Sequence, residues 1–103
     1  MNPKLDIPQE NLAEFCRRWM IEEFALFGSV LREDFTADSD VDVLVSFQAE
    51  AKWTLFDLAS MREELKAIFG REVDLLTRGG LEASRNYLRR EAILAGAEII
   101  YAA

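Results

Sequence analysis

Residues 26–45 read LFGSVLREDFTADSDVDVLV, and this stretch decides the fold. An apolar run ends at the turn Gly28-Ser29, and a second apolar run follows that carries carboxylates at Asp40 and Asp42. Because alternate side chains of a strand share one face, these two carboxylates are expected to point the same way. Their Cα atoms would then lie roughly 6 to 7 Å apart.

Two carboxylates at this spacing predict a bound cation, since they repel each other when nothing lies between them. Mg²⁺ prefers oxygen ligands and is usually held by one or two carboxylates together with substrate phosphates. The turn Gly28-Ser29 offers the complementary features: close backbone approach, a hydroxyl, and free N–H groups at an expected helix start. Together these residues predict a metal-dependent nucleotide site. A solvent-facing acidic strand is the plain alternative, although the flanking apolar residues favour a central strand whose acids need a partner.

Three further residues are candidates whose roles stay open on the residues alone. Asp74 lies in a later apolar run and joins the site if that strand pairs beside Asp42; an edge or salt-bridged aspartate is equally compatible. Arg32 either faces the phosphates of a nucleotide or pairs with a neighbouring acid. Ser39 is a candidate nucleotide contact, but a turn residue is its simpler role.

The composition bounds the class of protein. A chain of 103 residues is expected to form a single domain over residues 1–103. With 12 basic and 19 acidic residues the net charge is −7, so a nucleic acid backbone is not expected as a direct ligand. No apolar run approaches the ~20 residues that span a bilayer, and no signal-peptide core begins the chain, so no membrane association is expected.

The counts of two residue types narrow the chemistry further. There is no histidine, which excludes Ser-His-Asp and Cys-His catalysis and histidine-ligated zinc. The lone Cys16 cannot form an internal disulfide and is typical of a cytoplasmic protein. Cys16 also lies on the apolar stripe of an expected amphipathic helix, which predicts a core residue. Any catalysis is therefore expected to depend on carboxylates, metal and backbone.

The order of elements predicts an α/β (α+β) fold, a small mixed β-sheet with helices packed against it. Thr54-x-x-Asp57 is typical of a capped helix start, and Gly70 of a helix end. Hydrophobic periodicity predicts a helix around residues 12–20, strands at 24–27 and 40–47, a helix over 54–70, a strand at 73–76, a helix over 81–94 and a last strand at 97–101.

The pattern Gly28-Ser29, about ten residues, Asp40-x-Asp42, and later Asp74 resembles the DNA polymerase β-like nucleotidyltransferase superfamily. The segments LFGSVLR, ADSDVDVLV, EVDLLTRGGL and AEIIYAA are similar to the minimal nucleotidyltransferases of bacteria and archaea. That group is typically encoded beside a HEPN-domain protein, and several such pairs are toxin–antitoxin systems. The resemblance covers nearly the whole chain.

The resemblance implies a polymerase β-like core and a function. Gly28 and Ser29 would hold a nucleoside triphosphate, Asp40 and Asp42 would ligate Mg²⁺, and Asp74 would be the third acid. With two Mg²⁺ ions and ATP, AMP would pass to a hydroxyl, expected to be a tyrosine of a partner HEPN toxin, and the chain would act as the antitoxin.

Two rivals remain at this stage. A non-enzymatic antitoxin would neutralise its partner by binding, through the apolar tail strand or the helix that bears Trp19. An adenylyltransferase acting on a small molecule would need no protein partner.

Overall fold

The computed structural model describes residues 7–31, 36 and 38–103, and it contains a mixed four-stranded sheet with helices on both faces. The elements in chain order are α1 (Gln9–Arg18), β1 (Ile21–Phe27), a 3₁₀ turn (Gly28–Leu31), β2 (Val41–Phe47), α2 (Leu55–Phe69), β3 (Val73–Thr77), α3 (Arg78–Glu82), α4 (Tyr87–Gly96) and β4 (Glu98–Ala102). The strand order is β3-β2-β1-β4. β1 is antiparallel to both β2 and β4, while β2 and β3 are parallel, which confirms the predicted mixed sheet.

One face of the sheet packs against α1 and α2 and holds most of the core. The odd residues of β2, Val41, Val43 and Val45, point into this layer and are fully buried. They meet buried side chains that follow the helical period in the two helices: Leu12, Phe15, Cys16, Met61, Leu65 and Phe69. The prediction that Cys16 is a core residue is therefore confirmed.

Both predicted ends of α2 are confirmed. The Thr54 hydroxyl accepts from the Asp57 N–H, and the Asp57 carboxylate accepts from the Thr54 N–H, so both halves of a capping box are present. At the other end Gly70 adopts a left-handed backbone conformation, with φ +70°, and its N–H donates to the Lys66 carbonyl.

The opposite face of the sheet carries a smaller apolar cluster under α3 and α4. Here the prediction of one helix over residues 81–94 was wrong, because the segment folds as two helices. The Thr77 hydroxyl caps α3 by accepting from the Gly80 N–H, and Asn86 caps α4 by accepting from the Arg89 N–H. Asn86 is a favoured N-cap residue and begins α4, whereas α3 has already ended at Glu82, with Ala83 as its C-cap.

Two strand boundaries also differ from the predictions. β1 begins at Ile21 rather than at residue 24. Ile21 is buried and Glu22 is exposed, as in a strand, but the two acidic residues that follow Ile21 interrupt the apolar run on which the prediction was based. The helix before it ends at Arg18, and the chain turns at Met20, whose φ is +57°. The last strand runs over Glu98–Ala102, one residue later than predicted.

The two surfaces considered for a binding-only antitoxin differ in exposure. Trp19 is half-buried: its ring meets Trp53 edge-to-face, with centroids 5.0 Å apart, and its Nε1 donates to Glu64. β4 lies at the edge of the sheet and exposes Ile99. The described ranges include no helix that is long and apolar enough to cross a membrane.

Candidate active site

The predicted acids meet where β1 ends and where β2 and β3 begin. Asp42 is the antiparallel partner of Phe27, the last residue of β1, and the parallel partner of Asp74 in β3. Neighbouring strands lie about 4.8 Å apart, so the backbones of Asp42 and Asp74 are side by side. The open question about Asp74 is therefore answered in part: it belongs to an edge strand, it is exposed, and it lies beside the strand of Asp42.

Gly28 approaches Asp42 so closely that no side chain fits between them. A Cβ atom placed on Gly28 would lie 2.3 Å from Asp42 Oδ2, and Gly28 has a φ of +75°, a conformation that favours glycine. Asp42 is half-buried, and Val30 in the turn after Gly28 is fully buried, which fixes this turn on the core. The backbone of Gly28 and the carboxylate of Asp42 are therefore brought together, as the sequence predicts.

Asp40 lies just outside β2, which begins at Val41, so its placement within the strand was wrong by one residue. The peptide groups on both sides of Asp40 are nevertheless held. The Ser39 carbonyl accepts from the Arg71 guanidinium at 3.2 Å, and the Val41 N–H donates to the Glu72 carbonyl at 3.0 Å. Asp40 is exposed and two residues from Asp42, so it lies at the same edge of the sheet.

The remaining predicted site residues are placed unequally. Ser39 has the predicted turn role, since its Oγ accepts from the Thr36 N–H at 3.0 Å; a nucleotide contact by Ser39 stays a prediction. The backbone of Ser29 belongs to the 3₁₀ turn after β1, next to Gly28. Arg32 lies outside the described residues.

The donor set at this edge fits Mg²⁺ in company with a nucleotide. Within residues 7–31, 36 and 38–103, no three Asp, Glu or Cys side chains converge closely enough to hold a metal ion by themselves. Asp40 and Asp42 provide carboxylate oxygens, and the backbone of Gly28 lies against the Asp42 carboxylate. This arrangement matches the usual mode of Mg²⁺ binding, in which substrate phosphates and water complete the shell.

A group of charged residues that the sequence does not predict lies beside Asp40. A cavity of about 500 Å³ adjoins Asp40, and Lys66, Arg71 and Glu72 line it. Hydrogen bonds to Glu72 and Glu63 raise the pKa of Lys66, so this side chain stays protonated. These contacts join segments about 30 residues apart, and no local pattern in the sequence indicates them.

Cys16 is removed from any chemistry at this site. Burial raises the pKa of the Cys16 thiol to about 12, against a small opposing effect of Arg17. A thiol with this pKa stays protonated at neutral pH and is a poor nucleophile.

The profile of the nucleotidyltransferase domain matches residues 9–96, and the chain belongs to this family. The prediction of a nucleotidyltransferase is thereby confirmed.

Curated relatives are protein adenylyltransferases by name. The chain is 34% identical over 70 residues to the protein adenylyltransferase MntA of Thermococcus cleftensis, covering 68% of this chain and 69% of the relative. It is 40% identical over 57 residues to a protein of Methanocaldococcus jannaschii named "Putative protein adenylyltransferase", covering 55% of this chain. That alignment spans 59% of the relative's length.

Solved structures share the fold. One described as "putative minimal nucleotidyltransferase" is 31% identical, with a TM-score of 0.66, covering 87% of this chain and 86% of the other. A second contains a tri-AMPylated HEPN toxin of Shewanella oneidensis in complex with its MNT antitoxin. It has a TM-score of 0.61 at 17% identity and covers 92% of this chain and 72% of the other, which shows a common fold.

Proposed function

We propose that this chain is a Mg²⁺-dependent adenylyltransferase that transfers AMP from ATP to a tyrosine hydroxyl of a partner HEPN toxin, and so acts as an antitoxin. The observation that carries the proposal is the parallel register of Asp42 with Asp74, together with the packing of Gly28 against the Asp42 carboxylate. These residues bring a phosphate-accepting turn and two strand acids to one edge of the sheet.

The division of labour among the residues follows from their positions. Asp40 and Asp42 would hold the metal, and the backbone N–H groups at Gly28-Ser29 would bind the terminal phosphates. Mg²⁺, when bound, lowers the pKa of the acceptor hydroxyl and neutralises the leaving pyrophosphate. Asp74 lies beside Asp42 and is exposed, so a change of its side-chain rotamer would let it contact the metal and an incoming acceptor.

The reaction forms one bond and breaks one. The acceptor oxygen bonds to the α-phosphorus of ATP, the α–β phosphoanhydride bond breaks, and pyrophosphate leaves. The Asp74 carboxylate takes the proton from the acceptor hydroxyl and releases it to solvent. Positioning and charge neutralisation provide most of the catalysis in phosphoryl transfer, so a histidine is not required.

A protein acceptor is supported by the relatives and by the charge of the chain. Protein adenylyltransferases are among the curated relatives, and a structure with the same fold contains an AMPylated HEPN toxin. A net charge of −7 disfavours a nucleic acid acceptor and favours a basic protein partner.

The test is intact-mass spectrometry of a HEPN-domain protein encoded beside this chain, after incubation with the chain, Mg²⁺ and ATP. Asp42→Asn should abolish AMP addition while the fold persists, because the amide removes the ligand charge. Asp38→Asn is the matched control: it makes the same change at an exposed acid of the preceding turn and should keep AMP addition. Fragment spectra should locate AMP on tyrosine.

Three outcomes would contradict the proposal in different ways. Full transfer by Asp42→Asn would exclude Asp42 as a required metal ligand. A stable complex that neutralises the toxin without ATP would favour antitoxin action by binding. Turnover of ATP with small hydroxylated molecules and not with the protein would favour a small-molecule adenylyltransferase.

A further inference from the structure

We propose that Arg71 is a positioning residue that fixes the backbone of Asp40 for metal binding. This inference rests on the proposed function, because it assumes that Asp40 is a metal ligand. Arg71 lies between α2 and β3, more than 30 residues from Asp40 in sequence, and its side chain reaches the turn that precedes β2.

The first observation is a double contact made by one nitrogen. Arg71 Nη1 donates to the carbonyl of Thr36 at 3.0 Å and to the carbonyl of Ser39 at 3.2 Å. Thr36 and Ser39 are also bonded to each other through backbone and side-chain groups. Arg71 therefore attaches Thr36 and Ser39, which are bonded to each other, to the loop that leads into β3.

The second observation is that both peptide groups next to Asp40 are attached to the same loop. The peptide before Asp40 is held through the Ser39 carbonyl by Arg71, and the peptide after it is held through the Val41 N–H by the Glu72 carbonyl. Two fixed peptide planes set the φ and ψ angles of the residue between them. Because Asp40 precedes the ladder of β2, the sheet alone does not fix its backbone on both sides.

The third observation is that the loop itself is held by α2. Glu72 accepts from Lys66 at 3.3 Å and from Arg62 at 3.5 Å, and Arg62 Nε donates to the Val73 carbonyl at 2.9 Å. Gly70 provides the left-handed turn that directs the chain from α2 into this loop. Asp40 is thus connected through Arg71 and Glu72 to a helix of the core.

Residues that orient metal ligands typically change metal affinity by about 10- to 100-fold when they are removed. We expect Arg71→Met, which has no donor, to raise the dissociation constant for Mn²⁺ by this factor. Arg71→Lys should stay closer to the wild type, because both bonds come from a single nitrogen and an ammonium group also carries several donors.

The experiment measures free Mn²⁺ by electron paramagnetic resonance during titration of the full chain with AMP-PNP present. The variants are Arg71→Met, Arg71→Lys and Asp42→Asn, with Arg18→Met as the matched control for an arginine that pairs with Glu64 instead. Amide hydrogen exchange provides a second readout: Arg71→Met should accelerate exchange at Val41 while the core of β2 stays protected. Should Arg71→Met not fold, Arg71→Gln takes its place, since its shorter amide does not reach both carbonyls.

The outcomes separate the two proposals. If Asp42→Asn weakens Mn²⁺ binding and Arg71→Met binds Mn²⁺ like Arg18→Met, the positioning role is overturned and the proposed function stands. If Asp42→Asn and the wild type bind Mn²⁺ equally, the metal site is not at these acids and both proposals fail. Weak binding by Arg71→Met with recovery in Arg71→Lys supports the positioning role.

Discussion

Gly28→Ala tests whether the close approach of Gly28 to Asp42 is required for AMP transfer. The added Cβ would lie 2.3 Å from Asp42 Oδ2, whereas Cβ atoms essentially never approach another heavy atom within 3.0 Å. The carboxylate must therefore move by about 0.7 Å or more. A displacement of about 1 Å in an active site costs on the order of 100-fold in rate, so we expect a loss of that size.

The matched control is Gly70→Ala, which separates this displacement from backbone strain. Gly70 has a φ of +70°, close to the +75° of Gly28, but nothing lies within 4 Å of a Cβ placed on it. Alanine in the left-handed region costs about 1–2 kcal/mol, so both variants should lose that much free energy of unfolding. Only Gly28→Ala should also lose activity.

The assay is the initial rate of AMP addition to the HEPN-domain protein, followed by intact mass at a temperature where both variants are folded. Urea unfolding measures the stability of each variant separately. Equal rates for Gly28→Ala and Gly70→Ala would refute the reasoning, because the contact with Asp42 would then have no role in transfer. If both variants lose transfer rate to the same extent relative to the wild type, backbone strain at the left-handed glycine positions accounts for the loss.

Two further predictions concern stability. Gly79→Ala should raise the free energy of unfolding by about 0.5–1 kcal/mol, since Gly79 is helical and nothing lies within 4 Å of a Cβ placed on it. Gly80→Ala should lower the free energy of unfolding, because the new Cβ would lie 2.9 Å from the Thr77 oxygen that caps α3. Urea unfolding of both variants checks this prediction, and shifts of the same sign would contradict it. As the pH rises above about 9, the wild type should lose stability relative to Cys16→Ala by up to about 1.4 kcal/mol per pH unit. The reason is that the folded thiol, with its pKa raised to about 12, keeps a proton that the unfolded thiol releases. If the difference in free energy of unfolding between the two chains stays constant from about pH 7 to 10.5, the thiol titrates alike in both states.

The elements with strong local signals were predictable from the sequence. The alternation in β2 and the apolar stripe of α2 each repeat over several residues, and Thr54 and Gly70 mark the ends of α2 by their own chemistry. Where the signal was weak or mixed, prediction failed. Glu22 and Glu23 interrupt the apolar pattern at the start of β1, so the predicted strand began too late. Asn86 lies within the predicted helix over residues 81–94, although it is the N-cap of α4.

The site divides in the same way. Gly28, Asp40 and Asp42 lie within 15 residues of one another, and their spacing indicated a shared site before the fold was known. The neighbour relation of Asp42 and Asp74 depends on a parallel pairing across α2, which periodicity does not specify. The contact of Arg71 with the Ser39 carbonyl depends on the same pairing and on the length of the arginine side chain, so no local pattern in the sequence predicts it.

The two acids that look equivalent in Asp40-x-Asp42 are held by different means. Asp42 lies inside the ladder of β2, half-buried, with its carboxylate packed against Gly28. Asp40 lies outside the ladder, exposed, with its flanking peptides held by the loop at Arg71. A change in the strands should therefore act on the metal through Asp42, and a change in the loop should act through Asp40. Arg71 and Asp74 both follow α2, so their positions beside the Ser39 carbonyl and Asp42 depend on how that helix ends at Gly70.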